Sequence, residues 1–383
     1  RGDVFFTLRI KGLKQDGCYL VREPEKKRCF GGQGKTFFTG AELAQGVTLH
    51  AGALRWAFFE IMPWKAETAG GKMISQDTVS RAMRERLPVL KRAAGKEAER
   101  DAAEDRDFQK SELKSITSGE LKCNPVRNSG GAQALEFTSG KNSLRLTLNG
   151  MAVQSWKLDG NEWIAGTKSS GLGAPAFWLP PVQPETPFLV KEQKACDSGI
   201  RITAEKTLNR KISPALEHLT IRQTLEVSRN LEKITIRTEL INMHDSESGM
   251  GSVTAGFRYH ILPLCLGKGG SLEMKSGGQS CKFRRTQERM IFARGATESA
   301  MAMKKLFEAP RAPVMIDDNI LTWRMPETEM KVRMSVEPAG AFAGFACWDT
   351  PSLETPTFEP FFLPVTLKAG ESAGYTLTLT AGK

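Results

Sequence analysis

The stretch His218-Leu-Thr-Ile-Arg-Gln-Thr-Leu-Glu-Val-Ser-Arg-Asn-Leu-Glu-Lys-Ile-Thr-Ile-Arg-Thr-Glu-Leu-Ile-Asn242 decides the fold class. Apolar and polar residues alternate through His218–Val227 and again through Leu231–Asn242, and Ser228-Arg-Asn230 stands between them. A period of two places one set of side chains on each face of a strand, so the pair reads as a long antiparallel hairpin with one face buried. The same alternation returns on both sides of it. Leu144–Leu148 and Val153–Leu158 flank the turn signal Asn149-Gly150, and Lys331–Val336, Ala343–Trp348 and Tyr375–Thr380 follow. A many-stranded region with almost no helical period predicts a large antiparallel β-sandwich over residues 118–383. No short repeat is present, which disfavours propellers and solenoids.

Upstream the pattern changes twice. Residues 4–65 read as short strands at Val4–Ile10, at Cys18–Val21 after Gln15-Asp-Gly17, and across Gly46–Ile61. So few strands do not make a comfortable independent core, so this region is expected to pack on something else. Between it and the sandwich, residues 75–116 carry dense mixed charge. Val79, Met83, Leu87 and Leu90 form one helical stripe behind the N-cap candidate Ser75, and Pro88 interrupts it. The acidic residues Glu97, Glu99, Asp101, Glu104 and Asp105 read as a solvated helix face. The organisation is therefore a small β region (1–70), a charged helical linker (71–117) that offers a protein-contact surface, and a sandwich (118–383).

Lys and Arg exceed Asp and Glu by 54 to 43 in 383 residues, a net charge of +11. That sign favours acidic partners. The basic residues are scattered on strand faces, however, and no basic stripe is interleaved with aromatics, so a nucleic-acid surface is not expected. No apolar run reaches the roughly 20 residues of a membrane span. The seven cysteines include no C-x-x-C, and His50, His218 and His244 have no metal-ligand spacing, so neither a metal nor another cofactor is implied. Cys18 and Cys29 flank a turn-rich segment and either close a hairpin as a disulfide or remain thiols. The chain opens Arg1-Gly-Asp3 without Met, which reads as a processed or truncated product and makes a periplasmic or extracellular location the expectation, with a cytoplasmic one the alternative.

Four segments, in order, resemble the galactose mutarotase-like (aldose 1-epimerase) superfamily. Leu144–Trp163 is similar to its opening hairpin with a D-G-N-E turn, and Gly173-Ala-Pro-Ala-Phe-Trp-Leu-Pro180 to the G-G-P-x-x-W-P stretch of its hexose-phosphate branch. Leu231–Asn242 followed by Gly256-Phe-Arg-Tyr-His260 resembles the strand ending in Asn and then G-x-H-P-Y-F. Phe358-Glu-Pro360 with Leu367–Ser372 resembles the closing E-P segment. The resemblance implies a β-supersandwich that handles sugars, with a carboxylate base and a histidine acid about the ring oxygen. The carboxylate maps onto Glu359. The histidine position holds Arg258, a poor proton donor, and His260 lies two residues on along the same strand, on the same face.

The arginine that precedes G-G-P in the phosphate branch is replaced by Lys168-Ser-Ser170. These departures favour a degenerate, carbohydrate-binding site over a working epimerase. In it Arg258, His260 and Glu359 would hydrogen-bond hydroxyls, Trp178, Trp163 and Trp348 would stack on the sugar, and Arg258 would depress the Glu359 carboxyl. An active mutarotase (Glu359 base, His260 acid) and a structural subunit are the alternatives. The ligand is a carbohydrate, neutral or anionic. Gly46–Ile61 also resembles the closing strands of a glycoside-hydrolase β-domain, which would make the chain the C-terminal part of a longer enzyme.

Overall fold

The structure, a computed structural model, describes residues 4–23, 28–30, 38–51, 60–63, 99, 102–103, 112–127, 131–166, 171–209, 212–244, 252–260, 265, 270–276, 279–284, 289–293, 314–316, 319–326, 328–348 and 357–382. It is built mainly of antiparallel strands. Nine strands form one sheet in the order Leu189–Cys196, Gly199–Thr207, Leu219–Ser228, Lys233–Asn242, Ser372–Gly382, Lys331–Glu337, Ile320–Arg324, Ser271–Ser276 and Gln279–Arg284. Its central hairpin pairs Val227 with Ile234 and Leu219 with Asn242. The alternation quoted above thus sends Ile221, Leu225, Ile236 and Leu240 inward and Arg222, Glu226, Arg237 and Glu239 outward.

An eight-stranded sheet faces it, running Pro181–Val182, Ala174–Leu179, Val253–His260, Thr357–Phe362, Phe342–Trp348, Arg289–Ala293 and Val314–Ile316, with Val365–Leu367 paired to Val253–Ala255. Its last two strands run parallel. Aromatic rings join the two layers. Tyr375 of the nine-stranded sheet stacks on Phe257 (4.7 Å between centroids) and packs on Phe362 (4.5 Å), and the Tyr259 hydroxyl donates to Tyr375 O at 2.9 Å. A six-stranded sheet, Ile116–Ser118 to Asn161–Ala165, completes this core and is tied to the nine-stranded layer where Trp156 Nε1 donates to Leu231 O. Its Asp159-Gly160 hairpin has positive φ at both residues (50° and 83°), the two-residue turn that suits twisted strands.

The N-terminal residues form a two-stranded and a four-stranded sheet around a separate cluster of Val21, Phe38 and Leu43. The strand Val47–Ala51 lies against the turn Pro214–Leu216. A short helix not read from the sequence, Gly40–Gln45, starts with a capping box. Glu42 N donates to Thr39 Oγ1 at 2.9 Å and Thr39 N donates to Glu42 Oε2 at 2.8 Å.

The Cys18–Cys29 disulfide alternative is corrected here. Cys18 pairs with Thr39 and Cys29 with Arg22, four positions further along the strand, roughly 13 Å away and beyond disulfide reach. The predicted helix with Val79, Met83, Leu87 and Leu90 lies outside the described residues. Of Glu97–Arg106, Glu99, Ala102 and Ala103 are described and helical, with Glu99 exposed. Among the described residues no helix is long and apolar enough to cross a membrane.

Candidate functional site

Four adjacent strands of the eight-stranded sheet bring the site together, two carrying its polar residues and one on each side flanking them. In Val253–His260, Phe257 and Tyr259 point into the core and are fully buried, so Arg258 and His260 share the opposite face. In the neighbouring Thr357–Phe362, Phe358 and Phe362 point into the core, which leaves Glu359 and Phe361 on the site face. The register sets Arg258 opposite Phe361. Across the remaining ladders each polar residue faces an alanine: Ala174 beside His260, Ala176 beside Arg258 and Ala346 beside Glu359. Those short side chains leave the room that the long polar ones occupy.

The polar groups converge on one carboxylate. Arg258 Nη1 donates to Glu359 Oε2, and His260 Nε2 lies 3.2 Å from Glu359 Oε1. The Arg258 guanidinium sits over the Phe361 ring, 5.5 Å from its centroid. The Glu359 side chain is 5% exposed, His260 12% and Arg258 19%. Arg258 Nε and His260 Nδ1 are buried without a hydrogen-bond partner among the described residues.

Burial raises the Glu359 carboxyl above its ordinary value, and the Arg258 charge and hydrogen bond pull against that rise. The expected depression by Arg258 is thus outweighed by desolvation. Burial, reinforced by the Arg258 charge, lowers His260 to about 4, so its imidazole is neutral at neutral pH. A general acid needs a proton to give, and His260 holds no spare one there.

The tryptophans part company. Trp178 is 5% exposed and lies at a bulge between Phe177 and Leu179. Its Nε1 donates to Phe362 O at 3.0 Å, its ring is 6.4 Å from that of Phe361, and it crosses the strand at Gly256, where a Cβ would come within 2.5 Å of it. It therefore borders the polar cluster through Phe361. Trp163 is fully buried, packed against Trp323 at 6.3 Å, and presents no face to a ligand. The backbone of Trp348 pairs with Thr357, and its side chain lies outside the described residues. Phe361 is fully buried against Arg258, and filling of the cluster by Phe361, Phe362 or Trp178 is the feature that favours the structural-subunit alternative. The sequence signal for Phe361 was the same period of two that places it with Glu359.

No family model matches the sequence, and no curated protein matches it. Solved structures of the galactose mutarotase-like and aldose 1-epimerase group do match, at low identity. A putative aldose 1-epimerase from Escherichia coli is 10% identical and covers 71% of this chain and 99% of its own, with a TM-score of 0.41. A galactose mutarotase-like protein from Clostridium acetobutylicum is 11% identical and covers 69% and 99%, with a TM-score of 0.45. A putative mutarotase from Salmonella typhimurium is 10% identical and covers 73% and 99%, with a TM-score of 0.43. The group named from the sequence segments is the group to which these structures belong. What this chain can do is read from its own side chains.

Proposed function

We propose that this protein binds carbohydrate at the Arg258–His260–Glu359 cluster and does not turn it over. The observation that carries the reading is the engagement of both Glu359 oxygens by neighbours in the same chain, Oε2 by Arg258 and Oε1 at 3.2 Å from His260 Nε2. A carboxylate held that way is a scaffold for hydrogen bonds. To act as a base it would have to give up one of these partners inside a buried site. Phe361, fully buried, and Trp178, 5% exposed, pack against the cluster and hold Arg258 in place, so a sugar would be held by the polar groups rather than by stacking.

The experiment is calorimetric titration with a panel of free aldoses, alongside polarimetric mutarotation assays of the wild type and Glu359→Gln. Binding without accelerated mutarotation is the expected result. Fast mutarotation abolished by Glu359→Gln would make the protein an epimerase instead. Neither binding nor turnover would leave a structural subunit.

A further inference from the structure

The outer face of the nine-stranded sheet carries a hollow far from the buried cluster's own strands. It is an open trough of about 900 Å³ across four adjacent strands, Leu219–Ser228, Lys233–Asn242, Ser372–Gly382 and Lys331–Glu337. At the usual strand spacing those four span roughly 14 Å. The trough comes from a row that lacks a side chain. Glu205, Arg222 and Glu239 lie side by side, and the next position is Gly374, where a Cβ would meet nothing within 4 Å. Beyond Gly374 the strand Lys331–Glu337 has ended, and Pro338 and Ala339 turn away to form the far wall. The neighbouring row is Thr224, Arg237, Thr376 and Glu337.

The charges that line the trough cancel, Arg222 and Arg237 against Glu239 and Glu337. Arg222 is held between Glu205 and Glu239, and Arg237 donates to Glu226, so the arginine wall is braced. Glu337 and Thr376 have no ion-pair or hydrogen-bond partner of their side chains among the described residues. An anion placed here meets two carboxylates, and a cation meets two guanidinium groups. A hydroxyl both donates and accepts, so a chain of hydroxyls finds a partner at every one of these groups. A peptide strand has no edge to add to, because Ser372–Gly382 is paired on both sides.

We infer that this trough is a second binding site, separate from the Arg258–His260–Glu359 cluster, and that it takes a neutral oligosaccharide longer than one ring. Pro338 and Ala339 give ring faces an apolar wall, and the braced ion pairs give hydroxyls fixed donors and acceptors. The Arg237 side chain is 55% exposed and that of Glu239 39%, so a ligand enters from solvent with no rearrangement of the sheet. The inference stands whether or not the cluster holds a sugar.

The test is calorimetric titration of the full chain with glucose, maltohexaose, cellohexaose, the hexamer of galacturonate and the hexamer of glucosamine. A neutral hexamer is expected to bind more tightly than either charged one, and excess glucose should not displace it. Gly374→Leu fills the floor of the trough at an open, exposed strand position, so thermal unfolding should hold while affinity falls at least about tenfold. Arg237→Met removes one exposed donor and is expected to cost about fivefold. Thr378→Val, on the same face but outside the trough, should change nothing. The inference is overturned if neither neutral hexamer binds, if a charged hexamer binds more tightly than both, or if folded Gly374→Leu and Arg237→Met bind as the wild type does. Glucose bound with neither neutral hexamer bound would uphold the cluster reading and overturn this one. A neutral hexamer that is lost in Gly374→Leu, with no glucose bound, would uphold the trough alone.

Discussion

The two large sheets of the sandwich both pair arginine with glutamate across neighbouring strands, and they do so in opposite surroundings. On the outer face of the nine-stranded sheet, Arg222 reaches Glu205 (2.5 Å) and Glu239 (2.9 Å), and Glu226 accepts from Arg201 (2.7 Å) and Arg237 (2.9 Å). There the Arg222 side chain is 44% exposed. On the eight-stranded sheet, Arg258 and Glu359 make the same kind of pair almost out of water. Exposed pairs of this kind contribute little, while a buried one costs several kcal/mol to desolvate and is dangerous to break. A sandwich needs nothing like the second pair for stability. Its presence, flanked by alanines and packed on Phe361, is the observation on which the proposed site rests.

Breaking the buried pair should produce the largest effect. Glu359→Ala leaves Arg258 uncompensated and is expected to lower unfolding free energy by about 3–5 kcal/mol, against less than about 1 kcal/mol for Glu226→Ala. Urea denaturation of both variants measures the contrast. Equal, small losses would mean that the Arg258–Glu359 pair is as wet as the outer ones.

Acid should separate the faces next. His260 has its ordinary value of 6.5 in the unfolded chain and about 4 in the folded one. Between those values the unfolded chain holds a proton that the folded chain lacks, so stability rises with pH through the window and is lost as pH falls through it. The difference is on the order of 3 kcal/mol. The raised Glu359 carboxyl works in the opposite direction, because its contribution falls as pH rises. Comparing the pH dependence of wild type and His260→Gln therefore isolates the histidine. Parallel curves from pH 4 to 7 would show that the His260 ring is not held neutral.

Much of this contrast was legible in the residues. Alternation in Leu219–Ser228 and Lys233–Asn242 gave the hairpin and its two faces. Period two also set Arg258 with His260, because both lie on one strand. Their meeting with Glu359 lay beyond periodicity. It depends on a register 101 residues away in sequence, read from the resemblance and visible physically only once the strands pair. The core role of Trp163 was hidden for a similar reason, since an aromatic in an alternating strand looks the same whether it faces a ligand or Trp323. The Thr39–Glu42 capping box was a local signal in plain view. It lay within a stretch read as β, and the six-residue helix is too short to show a period.

A smaller effect is expected from the support of the site's aromatic border. Gly256 carries the Trp178 ring where a Cβ would stand, so Gly256→Val must push that ring aside. The cost of such overpacking is about 1–3 kcal/mol. Thermal unfolding reads the loss, and a shift in tryptophan emission reads the displaced indole. Unchanged emission with unchanged stability would mean that Trp178 is free to move and borders nothing fixed.

The smallest effect concerns the outer face, and it completes the comparison. Arg222 sits in a row Glu205–Arg222–Glu239 across three neighbouring strands, with both acidic partners on the same face. Its side chain stays partly in water, so solvent and salt screen both contacts. Hydrogen bonding to Glu205 raises the Arg222 value, but at this exposure little of that reaches stability. A double-mutant cycle of Arg222→Ala with Glu239→Ala is expected to give a coupling of about 0.2–1 kcal/mol that shrinks when salt is raised toward about 1 M. The corresponding cycle on Arg258 and Glu359 should keep most of its coupling at that salt, because ions do not reach the pair. Equal salt sensitivity in the two cycles would erase the distinction between the faces on which the site assignment stands.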